Sequence, residues 1–96
     1  MANDSSMKNI SQVEQYAKDL ENNARQVEEI FRKLKRKTDE IGQNWNDRQF
    51  QQFQQVYNDV IMKQIKGTCE TLQKLSVYAK KQCEFNRMAE QHKLNI

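Results

Sequence analysis

Cys69, Cys83 and His92 are the side chains of this 96-residue chain best suited to metal binding or nucleophilic catalysis. The two cysteines are 14 positions apart, and the single histidine follows nine positions after Cys83. This spacing matches no zinc-ligand pattern. The sequence also has no Gly-rich phosphate loop and no carboxylate pair on an apolar face where its pKa could be tuned. It therefore predicts no enzymatic activity, no cofactor and no metal site.

The two cysteines fall on one predicted helix. At a rise of about 1.5 Å per residue they would lie about 21 Å apart, too far for a disulfide within the chain. We predict reduced thiols. A disulfide between two copies related by a twofold axis is the alternative.

The amino-acid composition indicates the type of secondary structure on which the cysteines and the histidine lie. Hydrophobic residues make up 36% of the chain, charged residues 30%, and there is no proline. This composition is typical of long helices that bury a narrow apolar stripe. Low hydrophobicity also allows a disordered chain, but the regular apolar spacing described below argues against disorder.

The same numbers bear on partners and location. The net charge of +3 favours solubility without implying a polyanionic partner. No stretch approaches the roughly 18 apolar residues of a membrane span, and residues 1–8 lack the apolar core of a signal peptide. We expect synthesis in the cytoplasm and, if the protein is secreted, a route without a cleaved leader.

Apolar residues recur every three or four positions from Ile10 to Trp45, with one polar interruption at Thr38, which predicts a first helix over about residues 9–41. Asn9 or Ser11 is expected to cap it. The first-helix stripe consists of Ile10, Val13, Ala17, Leu20, Ala24, Val27, Phe31 and Leu34.

A turn is predicted at residues 42–46. Gly42 suits the left-handed position that ends many helices. Asn44 is the expected N-cap of the next helix, and Asp47 would lie in its first turn, where the helix dipole favours a carboxylate. So short a connection predicts two antiparallel, adjacent helices.

The second helix is predicted over about residues 46–91, again with steps of three or four between apolar positions. Its predicted inward positions are Phe50, Phe53, Tyr57, Ile61, Ile65, Thr68, Leu72, Leu75 and Ala79.

The two stripes match when residues are paired so that their position numbers add up to 88 or 89. Phe31 with Tyr57 gives 88, and Ala17 with Leu72 gives 89. This pairing places small Ala17 and Ala24 opposite large Leu72 and Ile65. The fold class is therefore predicted as all-α: a single antiparallel hairpin domain over residues 1–96.

Two helices cannot cover stripes this wide, so the hairpin is expected to dimerise into a four-helix bundle, with itself or with a related hairpin chain. The residues predicted to pack the hairpin and the dimer are Val13, Leu20, Val27, Phe31, Leu34, Phe50, Phe53, Tyr57, Ile61, Ile65, Leu72 and Leu75.

A basic cluster at residues 32–37 lies among acidic residues. Ion pairs of Glu28 with Arg32 and of Glu29 with Lys33 would make it a solvated helix face. Nucleic-acid binding is the weaker interpretation, because no aromatic residues interleave with the charges. We expect no nucleic-acid partner.

The C-terminal end extends past the start of the first helix, so Phe85 and Met88 would face residues 1–3. Exposed apolar residues on such an overhang suit a docking tail, and a frayed helix end is the alternative.

The turn motif, formed by Gly42, Trp45, Asn46 and Asp47, resembles that of the WXG-motif proteins, the small ESAT-like helical hairpins of type VII secretion. Chain length, lack of proline and the mid-chain Trp fit, and Phe50 and Phe53 look like the apolar residues that follow the motif in the family. The resemblance implies an antiparallel dimer, no enzymatic activity, and a role as a secreted substrate or a component of the secretion system. A secretion ATPase or a toxin would then be a partner. The alternative is a cytoplasmic helical-bundle adaptor or toxin-associated chaperone that is not exported.

Two features depart from the family pattern. Asp47 stands where the family has Gly. The family's export signal, Tyr-x-x-x-Asp/Glu, is degenerate here, because Tyr78 is followed four positions later by Gln82. The second departure bears on export more than on the fold.

Overall fold

The computed structural model describes residues 7–94 and the side chains of residues 7–91. The chain divides into two compact units. The turn unit is Asn23–Thr71, and the end unit combines Met1–Asn22 with Leu72–Ile96. Throughout the described residues, every regular element is helical.

The first helix, α1, spans Ile10–Ile41. Asn9 caps it, because its side-chain Oδ1 accepts a hydrogen bond of 3.0 Å from the backbone N–H of Gln12. Of the two predicted caps, the structure therefore uses Asn9. An N-cap of this kind satisfies one of the backbone donors that have no partner within the helix.

The return chain begins with α2, Arg48–Val56, continues through a π-helical turn at Tyr57–Ile61, and ends with α3, Met62–Leu94. The backbone stays helical through both junctions. The π turn closes with a hydrogen bond from the N–H of Met62 to the carbonyl of Tyr57, five residues earlier. The predicted second helix therefore starts two residues later than expected and contains an interruption that its apolar spacing did not indicate.

In the end unit, α1 and α3 run antiparallel. The Ser76 hydroxyl donates a 2.6 Å hydrogen bond to the carbonyl of Ala17, and the Cys83 thiol lies 3.9 Å from the carbonyl of Ile10. All four residues are buried. The core of this unit is therefore built from small side chains, which allow two helix backbones to approach closely.

The turn unit is also an antiparallel helical hairpin. The Tyr57 hydroxyl donates a 2.7 Å hydrogen bond to the carbonyl of Phe31, and the Cys69 thiol donates one of 3.2 Å to the carbonyl of Ala24. Phe50, which is 3% exposed, is the most deeply buried aromatic residue of the unit.

The π turn moves the buried row of α3 by one residue. Thr68 and Leu75 were predicted to face α1, but both are exposed, and Cys69 and Ser76 are buried instead. A π turn contains one more residue per turn than the α-helix assumed in the prediction, so every later side chain changes its direction. The predicted pairing was therefore wrong for α3: Ala17 and Ala24 meet the small Ser76 and Cys69, one turn beyond Leu72 and Ile65.

Candidate interaction surface

Asp47 is the N-cap of α2. It has an extended backbone, with φ of −124°, and its Oδ1 accepts a hydrogen bond of 2.9 Å from the backbone N–H of Phe50. That bond is the largest cause of a pKa of the Asp47 carboxyl below its ordinary value. Desolvation opposes it, and a hydrogen bond from the Trp45 side chain adds to the lowering. The prediction of Asn44 as the cap was wrong, because the chain makes a further turn after Ile41 before α2 begins.

That further turn is held by backbone hydrogen bonds. The N–H groups of Asn44 and Trp45 both donate to the carbonyl of Ile41, each at 2.9 Å. This brings Trp45 back onto the end of α1 and places Asp47 where it can cap α2.

Gly42 is required for its size rather than for its backbone angle. It does not have a positive φ, so the predicted left-handed conformation was wrong. A Cβ at this position would lie 2.9 Å from Cε2 of Phe50 and 3.1 Å from the carbonyl oxygen of Asp39. The ring of Phe50 therefore packs directly on the backbone of Gly42.

Trp45 lies against this core and remains partly open to solvent. Its ring centroid is 5.2 Å from that of Phe50 and 6.0 Å from that of Phe53, in tilted arrangements. Trp45 is 39% exposed, and Phe53 is 54% exposed. A shallow cleft of about 260 Å³ lies beside the rings of Trp45 and Phe53. It is lined by Leu34, Lys37, Thr38, Ile41, Trp45, Phe50 and Phe53.

The direction of the remaining apolar side chains follows from helix geometry. An α-helix advances about 100° per residue, so a residue three positions after a buried one points about 60° to one side, and a residue four positions after it points about 40° to the other. We call the side on which the third residue after a buried one lies the three-after side, and the opposite side, where the fourth residue lies, the four-after side. In an antiparallel pair, the three-after sides of the two helices lie on the same side of the pair, and so do the four-after sides. Each unit therefore has two flanks of different composition.

In the end unit the four-after flank carries ion pairs. The Arg87 guanidinium donates two hydrogen bonds to the Glu14 carboxylate, from Nη2 at 2.7 Å and from Nε at 3.0 Å. The Lys80 ammonium lies 2.8 Å from the Glu21 carboxylate. The hydrogen bond from Arg87 lowers the pKa of the Glu14 carboxyl. Charge pairs between adjacent helices favour a particular partner orientation and register.

The three-after flank of the end unit is apolar, and we call it the end-unit apolar flank. Its exposed members include Tyr16 and Leu75, at 58% and 49% exposed. The flank consists of Val13, Tyr16, Leu20, Leu72, Leu75 and Ala79.

The turn unit repeats this division. On its four-after side, Asp39 accepts hydrogen bonds from Gln54 at 2.9 Å and from Lys35 at 3.0 Å. Those two hydrogen bonds lower the pKa of the Asp39 carboxyl, and the bond from Gln54 is the larger cause. Its other side, the turn-unit apolar flank, consists of Val27, Ile30, Leu34, Ile41, Phe53, Val56, Val60 and Ile65.

The predicted packing residues divide between the hairpin cores and these flanks. Phe50 and Tyr57 are buried, whereas Leu34, Phe53 and Leu75 are exposed. The half-buried members of the predicted set are Val13, Leu20, Val27, Phe31, Ile61, Ile65 and Leu72. Sequence reasoning missed Cys69, Ser76, Cys83 and Asn86, which are buried. Cys69, Ser76 and Cys83 are spaced seven residues apart, and this spacing was the signal in the sequence that could have identified the buried row.

The predicted docking tail is exposed: Phe85 is 66% and Met88 63% accessible. The residues 1–3 expected to face them lie outside the described residues. Beside Phe85, the buried Asn86 donates a 2.8 Å hydrogen bond to the carbonyl of Gln82.

The basic cluster of α1 is partly neutralised. Arg32 pairs with Glu28 at 3.4 Å, as predicted, but Glu29 pairs with Arg36 rather than with Lys33. These are exposed ion pairs of a kind that contributes little to stability.

The chemistry-bearing residues remain apart. Across the described part of the chain, no three His, Cys, Asp or Glu side chains form a group that could hold a metal ion. Both cysteines are free and buried, and burial, as the first cause, raises the pKa of each thiol. None of the described helices is both long enough and apolar enough to cross a membrane.

A family model described as "Proteins of 100 residues with WXG" matches residues 7–91, which is most of the chain. The chain belongs to the WXG100 family. The match confirms the resemblance inferred from the turn motif, and the helical hairpin of each unit agrees with it. In this WXG100 protein, the position of the motif's Gly is occupied by Asp47, which caps α2. Comparisons with curated proteins and with solved structures found no significant match.

Proposed function

We propose that this WXG100 protein acts without catalysis, as a dimeric helical hairpin that binds other proteins in a type VII-like secretion system. The observation that carries the proposal is the presence, in each unit, of an apolar flank opposite a charged flank. A helical pair with one uncovered apolar side gains stability by burying that side against another helical pair.

The exposure of apolar side chains on the flanks supports self-association. Ile30 and Leu34 on the turn-unit apolar flank are 54% and 43% exposed, and Leu75 on the end-unit apolar flank is 49% exposed. Burial of exposed apolar surface is the main favourable contribution to most protein association. We infer that the apolar flanks form the interface of a four-helix bundle, with a second copy or with a related hairpin chain.

Leu75→Glu tests this interface. The charge would lie at the centre of the end-unit apolar flank, so sedimentation velocity should change from dimer to monomer while circular dichroism keeps its helical signal. Gln73→Glu is the matched control, because Gln73 is exposed on the same helix two residues away. We expect it to remain dimeric. A wild-type chain that sediments as a folded monomer at micromolar concentration would rule out the homodimer, and mixing with a related hairpin chain would then test the heterodimer.

The secretion role rests on family membership and has its own test. The tagged protein should accumulate in culture supernatant while a cytoplasmic marker stays in the cells, and deletion of the secretion ATPase should abolish this accumulation. The exposed Phe85 and Met88 are the residues we assign to docking on the ATPase or on a toxin. Replacing both with Ser should reduce export without changing the dimer.

A non-exported adaptor or toxin-associated chaperone is the second candidate. The degenerate signal at Tyr78 favours it, because Gln82 lacks the carboxylate of the family's export motif. Under this alternative the protein stays in the cell lysate, and Gln82→Glu would restore the motif and increase export.

A further inference from the structure

The side of α3 that faces away from α1 carries a line of exposed side chains in the end unit. Ser76 and Cys83 point towards α1, so positions two before or two after them are rotated by about 160° to 200° around the helix. Tyr78 and Phe85 occupy two of these positions and are 63% and 66% exposed. We call this line the outer stripe, and it consists of Lys74, Tyr78, Lys81, Phe85 and Met88.

The spacing of the outer stripe is that of a coiled-coil seam. Its members follow one another in steps of four, three, four and three residues. Steps that average 3.5 residues keep side chains on one line along a helix, and the surface that meshes with such a line is another helix with the same repeat. From Lys74 to Met88 the stripe is about 21 Å long, so about four turns of a partner helix would cover it.

Two lysines alternate with the apolar positions of the outer stripe. No ion pair within residues 7–91 involves the ammonium group of Lys74 or of Lys81. The carboxylate nearest to Lys81 in sequence is that of Glu84, a residue that lines a groove with Lys18 and Lys80 on the charged flank. The outer stripe itself contains no carboxylate.

This charge pattern decides between occupants. A second copy of the chain would add two more lysines to the seam and no carboxylate, and lysines in a seam disfavour pairing unless acidic side chains lie opposite them. We propose that the outer stripe is a docking surface for an acidic amphipathic helix of a partner protein. Its apolar side chains would cover Tyr78, Phe85 and Met88, and its Asp or Glu side chains would pair with Lys74 and Lys81.

The proposal names the kind of partner that Phe85 and Met88 bind, and it rests on the docking role proposed above for these two residues. It depends neither on dimerisation nor on export, because the outer stripe shares no residue with the end-unit apolar flank. Failure of the dimer or of export in their own tests would leave it standing. Failure of the peptide experiment below would likewise leave the dimer and export standing.

The probes are two fluorescein-labelled helical peptides of four heptads, which differ in their seam positions a and d. One has Leu at a and Glu at d, and the other has the reverse, so that Glu lies opposite both lysines in a parallel and in an antiparallel pairing, respectively. Fluorescence anisotropy with the purified full chain should give a micromolar dissociation constant for one of them. Absence of binding of both peptides at about 300 μM chain would overturn the proposal.

The ion pairs are tested by charge reversal. Lys74→Glu with Lys81→Glu should weaken binding of that peptide by at least about tenfold. The matched control, Lys18→Glu with Lys66→Glu, makes the same change of net charge at exposed positions outside the stripe and should alter binding by less than about twofold. Equal weakening by both double variants would show that only net charge matters and would overturn the proposal.

A peptide with Lys in place of every Glu separates pairing from a folding defect. It should bind the chain with Lys74→Glu and Lys81→Glu more tightly than it binds the wild type, because the charges then complement each other again. A chain that binds neither peptide while circular dichroism keeps its helical signal would contradict the pairing.

The apolar positions and the other occupants complete the test. Tyr78→Ser with Phe85→Ser should weaken peptide binding by at least about tenfold while the helical signal is kept. Vesicles containing phosphatidylglycerol and a poly-dT oligonucleotide should bind more weakly than the peptide. Equal or tighter binding of either that is lost in the same variant would assign the stripe to a membrane or to nucleic acid, and dissociation of the dimer in that variant would assign it to a second copy. Each of these outcomes would overturn the proposal.

Discussion

Replacing Trp45 by Ala should destabilise the protein less than replacing Phe50 by Ala, although Trp45 is the larger residue and gives the family its name. A Trp side chain can bury up to roughly 250 Å². With Trp45 39% exposed, about three-fifths of that area is covered in the hairpin. At about 25 cal/mol per Å², this corresponds to roughly 3.8 kcal/mol, and a partly collapsed unfolded state reduces it to about 2–3 kcal/mol.

Phe50 differs because it is almost completely buried on the backbone of Gly42. Truncation of a buried Phe removes its transfer energy and leaves a cavity, at a cost of about 3–5 kcal/mol. For a chain of this length, the loss at Trp45 should lower the melting temperature by roughly 10–20 °C, and the loss at Phe50 should lower it further.

Urea unfolding of the two variants and the wild type, monitored by circular dichroism, measures both free energies of unfolding. The experiment should be run at two protein concentrations, because burial of the exposed part of Trp45 in a dimer would make its loss larger at the higher one. A Trp45→Ala cost that exceeds that of Phe50→Ala at low concentration would refute the reasoning, since Trp45 would then be the buried centre of the turn.

Three further outcomes are expected. Gly42→Ala should destabilise by about 1–3 kcal/mol in urea unfolding, because the clash with Phe50 outweighs the better helix propensity of Ala, and a gain in stability would contradict this. The lowered pKa of Asp47 means that its contribution to stability is present above the ordinary carboxyl pKa and is lost as pH falls through the lower folded-state value. Asp47→Asn should therefore show a weaker fall in melting temperature between pH 5 and pH 2 than the wild type, and identical pH profiles would contradict the capping role. Replacing both Glu14 by Gln and Arg87 by Gln should leave the dimer intact in sedimentation, whereas dissociation would place the interface on the charged flank.

The sequence by itself determined the features that depend on neighbouring residues. The three-or-four spacing of apolar residues predicted α1 almost to its ends, because helix periodicity is a local property of the backbone. Asn9 was one of two recognisable caps for the same reason. The Trp45-Asn46-Asp47 motif identified the family, which the match over residues 7–91 confirmed.

The tertiary structure decided everything that depended on how α1 meets the return chain. The π turn at Tyr57–Ile61 leaves no mark in apolar spacing, yet it moved the buried row from Thr68 and Leu75 to Cys69 and Ser76. Helices that pack at small residues gain stability from the close approach of their backbones and from side-chain hydrogen bonds to backbone carbonyls. Neither contribution is visible in a hydrophobicity pattern. The presence of Gly42 in the sequence likewise indicated a turn. Only the structure shows that the ring of Phe50 lies against the Gly42 backbone, where a side chain would not fit.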